Sequence, residues 1–110
     1  MQDIPKEIKK KYPSIGKFRF PKTDKYADGK YIEEVKKLDG VFVEDSNSAR
    51  EYWKGFELIE CEDGTRELRF CYYTRRWGTE SWRWGQFNPI ISFDKLEKLI
   101  QMIEKKNWFS

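Results

Sequence analysis

Apolar and polar side chains alternate in two runs, residues 52–60 and 66–73, on either side of Glu62-Asp63-Gly64. A period of two predicts strands, and the acidic-glycine break predicts a hairpin joining them. A two-residue Asp63-Gly64 turn would set Glu60 opposite Glu67, two like charges. A three-residue loop with Gly64 left-handed instead opposes Glu60 to Arg66, Glu57 to Arg69, Leu58 to Leu68 and Phe56 to Phe70. Such cross-strand pairs contribute about 0.2–1 kcal/mol each, all with one sign, so the three-residue loop is the predicted register. It places Phe56, Leu58, Leu68, Phe70 and Tyr72 on one face, expected to meet the core. Trp53, Glu57, Ile59, Arg69, Cys71 and Tyr73 share the other, which mixes charge with aromatic surface as a binding face does.

The period changes after residue 92. Phe93, Leu96, Leu99, Ile100 and Ile103 form one apolar stripe, widened by Met102, which predicts an amphipathic helix over 93–106. Ser92 suits its N-cap, Asp94 its first turn, and Asp94–Lys98 and Gln101–Lys105 its wet side. Trp108 and Phe109 follow as an apolar tail expected to fold back. Near the start, Asp3 as cap, Pro5 in the first turn and Ile4, Ile8 and Tyr12 at helical spacing predict a short helix over 3–12, stopped by Pro13. Lys9-Lys10-Lys11 reads as its solvated face. Residues 17–20 alternate as a short strand ended by Pro21. Tyr31, Ile32, Val35 and Leu38 fit helix or strand, Gly40 breaks that segment, and 41–43 read as a strand before a polar loop at 44–48. Arg75 to Gly78 read as a turn, and 81–84 as a further strand with a bend at Gly85 and a break at Asn88-Pro89. The elements sum to an α+β fold: an antiparallel sheet of four or five strands packed by the C-terminal helix, in one domain spanning 1–110.

Composition narrows the function. The chain has 110 residues, a net charge of +3, 17% aromatic residues and no histidine. Without imidazole there is no Ser-His or Cys-His nucleophile pair and no ordinary metal site, so neither an enzyme nor a cofactor is expected. Glu57, Glu60, Glu62, Asp63 and Glu67 could suggest a magnesium-dependent nuclease. The register, however, gives Glu57 and Glu60 arginine partners and leaves Glu62 and Asp63 as turn residues. Gly78 and Gly85 are isolated and form no phosphate-binding loop. Cys61 and Cys71 lie on adjacent strands about six positions apart, near 20 Å, beyond disulfide reach. Free thiols fit a reducing, cytoplasmic location, and no apolar run is long enough for a membrane span or a signal-peptide core.

A mildly basic, aromatic sheet suits an anionic polymer. Single-stranded nucleic acid is held by cations along its backbone and rings under its bases. The candidate contacts are Trp53, Lys54, Arg69, Tyr73, Arg75, Arg76, Trp77 and Arg83. Arg75, Arg76 and Arg83 have no local acidic partner and are expected to meet phosphates. Arg69 has two readings, partner of Glu57 or phosphate ligand. Trp82 and Trp84 share a strand face and are expected in the core, whereas Trp77 sits in a turn, open to either role. The rival class is a small protein-interaction or inhibitor module using the same residues as hot spots.

Lys54-Gly55-Phe56-Glu57-Leu58, Glu67-Leu68-Arg69 with Tyr72, and Ile91-Ser92 before the Leu96–Leu99 helix carry a resemblance. Residues 52–106 resemble the single-stranded-DNA-binding transcriptional coactivator family, named for eukaryotic positive cofactor four. The resemblance implies a curved antiparallel sheet, dimerisation through the C-terminal helix, a part in transcription regulation and no catalysis. Two positions depart from the family pattern. Phe87-Asn88-Pro89 stands where a basic Lys-Gly pair precedes the last strand, and Cys71 stands where an aromatic is usual.

Overall fold

The computed structural model describes residues 4–19, 32–86 and 90–108, with backbone alone at 18–19 and 32–33. In chain order the elements are α1 (Lys6–Lys9), β1 (Ser14–Arg19), β2 (Ile32–Glu44), β3 (Arg50–Glu60), β4 (Arg66–Arg76), β5 (Arg83–Gly85) and α2 (Phe93–Lys106). The strands form one antiparallel sheet in the order β1-β2-β3-β4-β5. It is curved into a half-barrel and, with the helices, makes an α+β fold. The expected roles of Asp3, Phe20, Pro21, Tyr31, Asn88, Pro89 and Phe109 lie outside the described residues.

The hairpin adopts the three-residue loop. Glu60 faces Arg66, Leu58 faces Leu68, Glu57 faces Arg69 and Phe56 faces Phe70. The Cys61 and Thr65 backbones close the loop, and Gly64 takes φ +85°, a conformation that a side chain disfavours. β2 resolves the helix-or-strand ambiguity as strand. Its register with β3 shifts between Lys37 and Asp39, where a bulge admits one extra residue. That residue, Leu38, breaks the strand's period of two, which is why Val35 and Leu38 also fitted a helical spacing. The strand also runs through Gly40, which was expected to end it.

α2 spans the residues its pattern predicts, but it is rolled differently. It packs on β2. Lys95 in its first turn binds Asp45 at 2.7 Å, and Lys106 in its last turn binds Asp39 at 3.4 Å. Trp108 folds back and donates to the same Asp39 at 3.1 Å. At about 100° per residue, Lys95, Leu99, Met102 and Lys106 occupy one narrow arc of the helix. Leu99 is therefore fully buried and Leu96, Met102 and Ile103 half-buried, while Phe93 (85% exposed) and Ile100 are turned outward rather than coreward. Burial opposes the charge of Asp45, yet bonds from Lys54 and Lys95 hold its carboxyl below the usual range. Ser92 caps the helix by accepting from the Lys95 backbone N–H at 3.4 Å. Ser92→Ala should therefore cost about 0.5–1 kcal/mol, measured by urea unfolding.

The two faces of the hairpin depart from the expected assignment, except at Leu58, which is buried as expected. The side bearing Trp53, Glu57, Ile59, Arg69, Cys71 and Tyr73 is the interior. The short helix α1 lays Ile8 there, with Ile4 and Tyr12 beside it, against Phe42, Trp53, Cys71 and Tyr73. Trp82 and Trp84 pack against the same cluster, as expected of them. On the other side, α2 leaves Tyr52, Phe56, Phe70 and Tyr72 half-buried and Leu68 exposed.

Candidate nucleic-acid interface

A charge can sit in the concavity only if it is paired, and β3 supplies two carboxylates that are. Glu57 is 0% exposed. Its Oε1 accepts from Arg69 Nη2 at 2.9 Å, Arg69 Nε at 3.3 Å and Trp84 Nε1 at 3.0 Å. Its Oε2 accepts from the Tyr73 hydroxyl at 2.7 Å and from the Tyr12 hydroxyl. Burial alone would raise the Glu57 carboxyl. The Tyr12 bond, the Lys37 charge and the Tyr73 and Arg69 bonds outweigh it and hold the group below its usual range. Burial first, and then the Glu57 charge, push the Tyr12 and Tyr73 hydroxyls and the Cys71 thiol well above their ordinary values. Cys71 is thus an inert thiol at neutral pH.

Glu51 repeats the arrangement six residues back along β3, on the same face. It accepts from Trp53 Nε1 at 2.6 Å and pairs with Arg75 at 2.8 Å, and the Arg75 guanidinium lies 4.6 Å from the Trp82 ring centroid. Trp53, Arg69 and Tyr73, expected on an open nucleic-acid face, are therefore internal. They are needed there because the two carboxylates require donors. Arg75, expected to be free of an acid, has one. Lys54 lies on the opposite side of β3, bound to Asp45 at 2.8 Å and to the Ile90 carbonyl at 2.7 Å, 5.5 Å from the Tyr52 ring centroid.

Arg76, Trp77 and Arg83 remain exposed and gather at one end of the sheet. Arg76 faces Arg50 across β3 and β4, while Arg83 faces Thr74 across β4 and β5. Three arginines from three strands, with Thr79 and Ser81, line a cleft of about 320 Å³. Among the described residues only Arg50 is anchored within it, donating from Nε to the Thr74 hydroxyl at 3.1 Å. The Trp77 indole N–H donates to the Asn47 carbonyl at 2.7 Å, which fixes a ring that is 47% exposed beside the cleft. Tyr52 and Tyr72, edge to face at 5.7 Å, continue the same side inward along the strands.

The like-charge pair is the exception in this hairpin. Of the four arginines on β4, Arg66 faces Glu60, Arg69 faces Glu57 and Arg75 faces Glu51, whereas Arg76 alone faces a cation. Directly opposed like charges destabilise a sheet, and an anion bound between them reverses the sign. Arg50, Tyr52, Tyr72, Thr79 and Ser81 were not among the expected contacts. The hairpin register carried ten residues back from Glu60–Arg66 opposes Arg50 to Arg76, so that signal was present. Among the described residues, no three His, Cys, Asp or Glu side chains group as a metal site, and no helix is long and apolar enough to cross a membrane. No family model, curated protein or solved structure matches the chain.

Proposed function

We propose that this protein is a non-catalytic binder of single-stranded nucleic acid, acting through the cleft of Arg50, Arg76 and Arg83 rather than through the interior face of the hairpin. The unbalanced Arg50–Arg76 pair carries the reading, because it is the one cross-strand arginine contact in the hairpin that a phosphate would complete. Arg83 and Ser81 add a third cation and a hydroxyl donor to one cleft, while the Thr79 hydroxyl is spent on the Arg76 carbonyl at 2.8 Å. Trp77, held by Asn47, offers a fixed ring for a base, with Tyr52 and Tyr72 along the strand direction. The likeness to the single-stranded-DNA-binding coactivators leads to the same class of partner. Cys61 and Cys71, which form no disulfide, suit a reducing cytoplasmic setting.

Each phosphate neutralised on a single strand contributes about 0.7 to the slope of log affinity against log salt. Replacing Arg50, Arg76 and Arg83 together by alanine should therefore flatten that slope by about 2 for a fluorescein-labelled oligothymidylate followed by anisotropy. Trp77→Ala should weaken binding about tenfold with the slope unchanged, as loss of one stacked base requires. An unchanged slope in the triple variant, or no binding by wild type at low salt, defeats the proposal. A protein-partner reading, including a homodimer through α2, is favoured by a different observation. Ile90 (79% exposed), Phe93 and Ile100 form apolar surface on and just before α2. In that case the arginine variant leaves assembly intact.

A further inference from the structure

The arginine cleft holds more charge than an internal phosphate can balance. Among the described residues its walls are Arg50, Arg76, Thr79, Ser81 and Arg83, with no carboxylate, around about 320 Å³. Residues opposed across neighbouring strands lie about 5 Å apart, and diagonal ones about 7–8 Å. Arg50 is opposed to Arg76, and Arg83, opposed to Thr74, is diagonal to Arg76. Residues two apart in a strand share a face, so all three arginines leave the sheet on the side of Tyr52, Thr74 and Tyr72.

Their donors are largely unspent. Arg50 uses only Nε, on the Thr74 hydroxyl, and the Arg76 and Arg83 side chains have no acid partner among the described residues. An internal phosphodiester brings a single charge. A phosphate monoester brings about −1.5 to −2 at pH 7 and three acceptor oxygens, one for each arginine. The end of the sheet favours the same ligand. β3 begins at Arg50 and β4 ends at Arg76. The loops beyond them are tied together by the Trp77–Asn47 bond, and Thr79 turns back to the Arg76 carbonyl through its N–H and its hydroxyl. A strand lying along Tyr72 and Tyr52 thus reaches the arginines where the sheet surface stops.

We infer that the cleft holds the phosphate-monoester end of a single strand in preference to its internal diesters, the terminal oxygens accepting from Arg50, Arg76 and Arg83. The inference rests on the nucleic-acid reading and names the part of the strand that the site takes. Octathymidylates with a 5′-phosphate, a 3′-phosphate or hydroxyls at both ends, titrated into the full chain by calorimetry at low salt, test it. One phosphorylated end should bind at least about tenfold more tightly than the hydroxyl-ended strand, and which end it is gives the strand's direction. The preference should collapse between about pH 7.5 and pH 5, because a monoester loses its second charge near pH 6. The cleft does not titrate with it, since the chain has no histidine, arginine titrates above about 12 and carboxylates titrate near about 4. Glu80, the carboxylate between Thr79 and Ser81, is exposed and is not a wall of the cleft. Arg76→Gln, at an exposed position, removes one of two opposed cations and should bring phosphorylated and hydroxyl-ended strands to one affinity. Equal affinity in wild type, a preference that persists at pH 5, or a preference retained by Arg76→Gln overturns the inference and leaves the nucleic-acid reading standing. A phosphoserine peptide that binds as tightly as the phosphorylated strand also overturns it. No binding by any strand removes both.

Discussion

Glu57→Ala should cost about 3–5 kcal/mol of folding stability at pH 7, the cost of stripping one partner from a buried ion pair. The loss exceeds a single bond because four side chains converge on this carboxylate. Without it, Arg69 stays inside uncompensated, and Tyr12, Tyr73 and Trp84 lose their acceptor. Domains of this size are stable by only about 5–15 kcal/mol, so the loss is a large fraction of the total. The pH dependence has a definite sign. A carboxyl lowered on folding contributes stability that is fully present above its unfolded value, near 4.3, and is lost as pH falls through the folded value. Wild type should therefore lose stability progressively below about pH 4. Glu57→Gln should be weaker at neutral pH, with a shallower acid limb. Urea unfolding followed by tryptophan emission at several pH values measures both. A loss below about 1 kcal/mol for Glu57→Ala would show that the network is not what closes the concavity.

That network also marks where reading the residues alone stops. The hairpin register was legible because opposed charges and opposed apolar pairs all chose one loop length, and adjacent strands compare only near neighbours. The C-terminal helix was legible for the same local reason, a capped stripe at one period. Which face of the hairpin turned inward was not a local matter. The side with more hydrocarbon, Phe56 to Tyr72, is the more open one, because Glu57 and Glu51 can be buried once their donors are assembled. One of those donors, Tyr12, lies 45 residues away in the chain. A rule that places charge outside has no access to such a partner. The roll of α2 was hidden likewise, since it depends on Asp39 and Asp45 of β2. Of the expected contacts, Arg76, Trp77 and Arg83 remain at one open site, and Arg50 joins them from the extended register.

The second large effect belongs to Gly55, which the expected hairpin treated as an ordinary strand position. A Cβ built there would lie 1.8 Å from the Val41 carbonyl oxygen and 2.8 Å from Phe42 Cα, both backbone atoms of β2. No rotamer change can relieve such contacts, so the strands must separate. Gly55→Ala should therefore cost at least the upper end of the roughly 1–3 kcal/mol seen for ordinary overpacking. Gly64 offers the contrast within the same hairpin. It has open space around it, and alanine there should cost only the left-handed backbone penalty of about 1–2 kcal/mol. The Gly55 lesion should also be localised. It lifts β2 where Val41 meets Phe56 and Phe42 meets Gly55, the stretch that brings Phe42 over the interior cluster and beside Tyr73. Amide exchange should accelerate first at Val41, Phe42 and Phe56, with Glu60–Arg66 pairing retained at the hairpin end. Stability within about 1 kcal/mol of wild type, or uniform acceleration across the sheet, would mean that the close approach of β2 to Gly55 is not what bends the sheet. The curvature would then have to come from the bulge at Lys37–Asp39, the other irregularity in that strand pair.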